Sequence, residues 1–282
     1  MNRPKITVIG LCGRSVFLEL DHFHEKGETV HAKALHTEPG GKGYNQAVAA
    51  ARLGAEVSFI GCCGEDEDAE ACRSFLLSEG ITPLIQTVPC AQTAYAAILT
   101  DASGENRVTV FRGAADCLSP EFIKENEAAI ARSDYLLLNF EYPMAVNETA
   151  AAIALEHEIK IILNPAPACS CSEELLKRCW CVIPNEHEAA FLPLRPSRCV
   201  TTLGGKGCEI FENGKITRLQ AFPAIPADTT GAGDCFCAAL TLALGEGKSL
   251  EEAAKFASLC AARSVAVKHV MPSLPRRAEI GE

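Results

Sequence analysis

Short apolar runs alternate along this chain with stretches of helical period, and few folds accommodate that rhythm. "KITVIGL" (residues 5–11) reads as a first strand, and "YNQAVAAARLG" as a helix ending at Gly54. "EVSFIG" is the next strand and "EDAEACRSFLLSEG" a helix closed by Gly80. "DYLLLN" and "IKIILN" are strands on either side of the helix "MAVNETAAAIALEHE". "WCVIP" and "CVTTLG" follow, then "CEIFENGKITRL", a hairpin with Asn213-Gly214 at its turn. Two helices finish the chain: one opens at Asp234, and the other is "SLEEAAKFASLCAARSVAVK". Strands apolar along their whole length are buried on both faces, which predicts an α/β, doubly wound, mainly parallel sheet with helices on both faces. No linker, repeat or low-complexity tract divides residues 1–282, so a single domain is expected. Two segments, residues 15–36 and 93–112, interrupt the rhythm as extended hairpins. Such insertions suit a small β-lid over a site at the carboxyl edge of the sheet.

Bulk properties narrow the function classes. A net charge of −10 argues against a general nucleic-acid surface, and no apolar stretch approaches a membrane span. The apolar segment after Met1 is too short for a signal peptide, so a cytoplasmic protein is expected. Fifteen cysteines then read as reduced, small hydrophobes. Cys169, Cys171, Cys179 and Cys181 cluster in "CSCSEELLKRCWC". Their C-x-C pairs differ from the C-x-x-C spacing common in structural zinc sites, leaving zinc as the alternative to core and surface thiols.

"DTTGAGDCF" (residues 228–236) precedes the apolar run "CFCAALTLAL", which reads as a buried helix. Gly231, Ala232 and Gly233 therefore lie at a helix N-terminus, where free amides and the macrodipole favour an anion. Asp234 in the same turn needs a separate task. A second glycine-rich helix entry, "PGGKGYNQA" (residues 39–47), is neither a P-loop nor G-x-G-x-x-G. It serves tight packing or a ligand. "TLGGKGCEI" (residues 202–210) brings backbone to a nucleotide or simply makes a turn. In "PNEHEA", Asn185 and Glu188 have capping-box spacing, and they also suit a magnesium-bound phosphate held through water. "NFEYP" and "NPAPA" end strands and offer Glu141 and Asn164 to the same sheet edge.

In this order and spacing, from about residue 5 to 275, these segments resemble the ribokinase-like (PfkB) carbohydrate kinases. The resemblance implies an ATP-dependent enzyme that moves the γ-phosphoryl of ATP to a hydroxymethyl group of a sugar, or of a nucleoside. It implies Asp234 as base and Gly231, Ala232 and Gly233 as the anion hole. Gly40, Gly41, Lys42 and Asn45 should line the sugar side, with Glu141 near the phosphate or acceptor. Asn185 and Glu188 should organise Mg2+ and phosphate. Thr202, Gly204 and Gly207 should lie near the nucleotide, and Ser258 near adenine. Asp228, the carbonyl of Thr230 and Ser273 match positions at which many members hold K+. The family lid often pairs with a second lid, which makes a homodimer the expectation over a lid that covers only its own site. A non-catalytic sugar-binding regulator on the same fold should lack Asp234 or the glycines, and both are present.

Three departures stand out. The family usually grips sugar hydroxyls with Asn-x-Asp after the first strand, and Gly13-Arg14-Ser15 occupies that place here. Loss of the carboxylate and its amide partner points to a sugar other than ribose, or to a nucleoside filling the space at Gly13. "KHVM" (residues 268–271) replaces the glycine-containing loop near the potassium position, and only "FLPLRPSR" joins Ala190 to Cys199, where a helix and connection are usual.

Overall fold

Runs such as Ile6–Val8–Ile9 and Leu136–Leu137–Leu138 cannot turn either face to water, so they pair edge to edge and receive helices on both sides. The computed structural model describes residues 3–103 and 105–281. Its first half runs β1 (Lys5–Ile9), β2 (Gly13–Glu19), β3 (Ala34–Gly40), α1 (Lys42–Leu53), β4 (Glu56–Cys63), α2 (Glu67–Ser78), β5 (Thr82–Thr87), β6 (Ala94–Thr100) and β7 (Asn106–Phe111). Next come α3 (Pro120–Glu125), α4 (Glu127–Ala131), β8 (Tyr135–Asn139), α5 (Met144–Glu156), β9 (Lys160–Asn164), α6 (Glu173–Arg178) and β10 (Cys181–Val182). The last part holds α7 (Glu186–Ala189), β11 (Arg198–Thr202), β12 (Cys208–Glu212), β13 (Lys215–Leu219), α8 (Ala232–Gly245), α9 (Leu250–Ser264), α10 (Val270–Ser273) and α11 (Arg277–Ile280).

The large sheet has the order β13-β12-β11-β10-β9-β8-β1-β4-β5. Pairing is parallel from β5 through to β11 and antiparallel across β11-β12-β13. This is the doubly wound, mainly parallel sheet expected from the sequence. Strand residues alternate between two cores. Leu137 joins α1, α8 and α9 on one face, and Leu136 and Leu138 join α3 to α6 on the other. The chain leaves β1 toward β4 and later returns on the opposite side at β8, so a crevice opens beyond the carboxyl ends of β1 and β8. At its floor the backbones of Gly10 and Gly43 nearly touch: a Cβ on Gly43 would lie 2.5 Å from the Gly10 Cα. Only glycine lets α1 begin this close to β1.

The two interrupting segments form one smaller sheet of order β3-β2-β6-β7. β2 and β6 are parallel, and the outer pairs are antiparallel. The ladder keeps pairing to Gly13↔Gly40, so the strands of the first segment run past residues 15 and 36, and residues 20–33 are a loop between them. Several short elements escaped the periodicity: β5, a strand interrupted by Pro83, and the helices α3, α4, α6, α7, α10 and α11. They are too short to display a period, and their ends are set by local caps such as Ser119 and Ser172. The final long helix stops at Ser264, short of the stretch assigned to it.

Candidate active site

α8 starts at the crevice. Gly231 caps it with φ of +78°, and a Cβ there would strike the Val270 side chain at 2.6 Å. Ala232 N–H bonds the Thr229 carbonyl at 3.3 Å, while the amides of Gly233 and Asp234 have no protein acceptor among the described residues. Asp234 is buried, and both its carboxylate oxygens are held from α1: Oδ2 accepts Asn45 Nδ2 at 2.8 Å, and Oδ1 accepts Gln46 Nε2 at 3.3 Å. Burial pushes the Asp234 carboxyl above its ordinary range, while the Lys42 charge and then the two amides pull it back. The Lys42 ammonium makes no direct ion pair among the described residues. The field of Asp234, opposed by burial and aided by Glu141 and Glu188, raises its affinity for a proton.

Gln46 was not singled out from the sequence, although a polar residue in an alanine-rich helix was the available signal. It is fully buried, and its Nε2 also donates to Asn164 Oδ1 at 3.1 Å. Asn164 in turn donates to the Ile183 carbonyl. The carbonyl oxygens of the Asn45 and Gln46 side chains are buried without a partner among the described residues. These are acceptors inside the crevice, beside Asp234.

Glu141 follows β8. Its carboxylate accepts the amides of Leu11 (3.0 Å), Lys42 (2.7 Å) and Gly43 (2.9 Å), so it clamps the loop after β1 to the start of α1. Burial raises its proton affinity and the three amides oppose that. Gly40 ends β3 and Gly41 caps α1 beside it. Ser15 lies over Gly40, where a Cβ would sit 2.3 Å from the Ser15 hydroxyl, and Gly13 packs on the Ala94 carbonyl. Gly13 and Ser15 thus lie in the second sheet next to Gly40 and Gly41.

On the other side of the α8 N-terminus is a cavity of about 770 Å³. Asn185, Thr202, Gly204, Gly207 and Ser258 all line it, with Gly233 at one end and Phe222, Ala261 and Val265 supplying apolar wall. Asn185 and Glu188 form the capping box in full. Glu188 N–H donates to Asn185 Oδ1, and Asn185 returns its backbone N–H and Nδ2 to the two Glu188 oxygens. Burial raises the Glu188 carboxyl. These hard oxygen donors fit magnesium through bound water, since each carboxylate oxygen keeps lone pairs beyond its one bond.

The potassium positions are differently placed. Asp228 Oδ1 accepts Thr230 N–H and Oδ2 accepts His269 N–H, each at 2.9 Å. The Ser273 hydroxyl donates to the Val270 carbonyl at 2.9 Å and faces Ser264. Each Asp228 oxygen keeps lone pairs beyond its one amide bond, as the Glu188 oxygens do, so this donor set can still accept a potassium ion. No group of three or more metal-type ligands gathers among the described residues, and Cys169, Cys171, Cys179 and Cys181 take places in or against the two cores. No described helix is long and apolar enough to cross a membrane.

Residues 3–277 match the pfkB family carbohydrate kinases. The chain belongs to this family. The kinase is 37% identical to the ribokinase of Haemophilus influenzae over 98% of its own length and 97% of the relative's. It is 36% identical to the ribokinase of Bacillus subtilis, with 98% of each chain covered. Arabidopsis thaliana ribokinase, solved with ribose and ATP, superposes with a TM-score of 0.89 at 28% identity, covering 99% of the kinase and 98% of that chain. The family resemblance read from the glycine-rich motifs and their order therefore holds, and the kinase is a phosphotransferase with an alcohol group of a sugar as acceptor.

Proposed function

We propose that the kinase binds ATP in the cavity beside α8 and moves its γ-phosphoryl to a hydroxymethyl group of a sugar held between Asp234 and the second sheet. The observation that carries this is the turn at Gly231–Asp234: a buried carboxylate oriented by Asn45 and Gln46 stands next to amides with no protein acceptor. Asp234 takes the hydroxyl proton, and the free amides of Gly233 and Asp234, at the helix start that Gly231 and Ala232 form, meet the charge that spreads over the phosphoryl oxygens. Lys42, a cation without a fixed partner, faces the same charge. Thr202, Gly204, Gly207 and Ser258 bound the nucleotide, and Asn185 and Glu188 hold magnesium by way of water. When bound, magnesium neutralises charge on the phosphates. Glu141 positions Lys42 and Gly43 through its three amide bonds.

Gly40, Gly41, Asn45, Gly13 and Ser15 surround the acceptor, and the second sheet is its lid. With glycine at 13 and serine at 15, no carboxylate from β2 grips the sugar, so the acceptor is a sugar other than ribose, or a nucleoside in the alternative reading. Leu35, Tyr95, Val108, Val110 and Phe111 leave apolar surface exposed on the lid, which suits a homodimer through that face. Fifteen free thiols suit a reducing compartment, so the cytoplasm is the proposed location.

ADP release with magnesium across a panel of sugars and nucleosides tests the reading. Asp234→Asn should lower turnover by about 10²–10⁴-fold with ATP binding kept. Unchanged turnover in that variant refutes the mechanism, and ribose as the best acceptor by far refutes the acceptor assignment.

A further inference from the structure

Glu38 of β3 stands directly across from Ser15 in the β2–β3 ladder, yet its buried carboxylate turns toward the first residues of α10. Oε1 accepts Val270 N–H at 2.9 Å, and Oε2 accepts Met271 N–H at 3.1 Å. His36 Nε2 lies 3.0 Å from the same Oε2. The His36 ring stacks on His269, with centroids 3.9 Å apart and planes 15° apart, and Phe17 meets His269 edge-on. His269 holds a φ of +66°, a conformation a non-glycine residue keeps only where its surroundings impose it.

The far side of this segment touches the α8 turn. His269 N–H bonds Asp228, whose other oxygen takes Thr230 N–H, and the Val270 side chain lies against Gly231. Arg52, at the end of α1, holds the carbonyls of Met271 and Leu274 at 2.5 and 3.0 Å. Residues 269–271 are thus pinned between a strand of the second sheet and the amides beside Asp234.

We propose that Glu38 is a positioning residue for phosphoryl transfer: it locks the second sheet, through Val270 and Met271, to the turn at Gly231–Asp234. Seating of the lid and alignment of the amides for the moving phosphoryl group then occur together. Without Glu38, two buried amides lose their acceptor, Val270 is free to shift against Gly231, and the turn loses its register with the acceptor. The chemistry itself, and the nucleotide cavity lined by Thr202 and Ser258, are untouched. The inference rests on the proposed phosphotransfer at Asp234.

The test is steady-state kinetics of Glu38→Ala and Glu38→Gln with the best acceptor, alongside wild type and Asp234→Asn. Glu38→Ala should lose about 10–100-fold in kcat, the scale of a displacement near 1 Å in a reacting site, with KM for ATP within about twofold of wild type. Glu38→Gln keeps one acceptor oxygen in nearly the same shape, so its kcat should fall between the two, and it serves as the decisive variant if Glu38→Ala does not fold. A folded variant with wild-type kcat overturns the inference. So does a kcat loss accompanied by an equal rise in KM for ATP, because that pattern means general loosening. Wild type without turnover on any acceptor overturns the phosphotransfer reading and this inference together. Wild type active with Asp234→Asn dead, but with Glu38 variants unchanged, sinks this inference alone.

Discussion

Asn45→Ala should move the acid limb of the rate profile to higher pH without unfolding the kinase. Asn45 Nδ2 lies 2.8 Å from Asp234 Oδ2, whereas Gln46 Nε2 is 3.3 Å from Oδ1 and is shared with Asn164. Asn45 is therefore the stronger of the two amide donors to the buried carboxylate. Burial already raises the Asp234 carboxyl above its ordinary value, so the working ionised form is present above that raised value and disappears as pH falls through it. Taking away a donor that favours the ionised form raises it further. A hydrogen bond to a charged group contributes about 1.5–3 kcal/mol, and about 1.36 kcal/mol corresponds to one pH unit, so the limb should move up by about one to two pH units. The fold should tolerate the change, because the Asn45 Oδ1 is buried without a partner and leaves together with the useful donor. The assay is kcat measured by ADP release from about pH 5 to 9, with Gln46→Ala as the smaller comparison. A limb that stays where it is in wild type, or moves to lower pH, refutes the claim that Asn45 tunes this base.

Other perturbations separate structural from chemical roles. Glu188→Gln should raise the magnesium concentration needed for half-maximal rate; if only thermal stability changes, Asn185 and Glu188 are a helix cap and nothing more. Glu141→Gln turns an amide against at least one of three backbone donors, and should cost about 2–4 kcal/mol of stability by chemical denaturation. An unchanged unfolding midpoint would mean that the Leu11–Lys42–Gly43 clamp carries no energy. If the two backbone amides are the whole role of Asp228, replacing potassium by tetramethylammonium leaves the rate within about twofold. Activation well beyond that range would place a cation in this loop.

Much of the fold was legible because its causes are local. "DYLLLN" and "IKIILN" hold unbroken apolar runs at their centres, and both became central strands. "YNQAVAAARLG" ended at Gly54 as expected, and Asn213-Gly214 turned the last hairpin. The short helices α6 and α10 were not legible, because four to six residues cannot display a 3.6-residue period. Proximity in space was no more accessible. The three backbone amides that Glu141 accepts come from residues 98 to 130 positions away, so its clamp on Leu11, Lys42 and Gly43 could not be read along the chain. Gln46 was one unremarked residue of the glycine-rich entry and Glu38 carried no motif, yet one touches the proposed base and the other ties the second sheet to α10.

By itself the sequence determined the order of the long strands and helices, the glycine-rich entry to a buried helix, and the presence of Asp234 in its first turn. Periodicity, caps and glycine act over a few residues, so they can be read along the chain. Only the tertiary structure decided what Asp234 meets. Its partner Asn45 lies 189 positions away, and Lys42 reaches it across the same crevice. Burial and charge at a buried carboxylate depend on everything packed around it, and that packing exists only once α1 and α8 lie side by side.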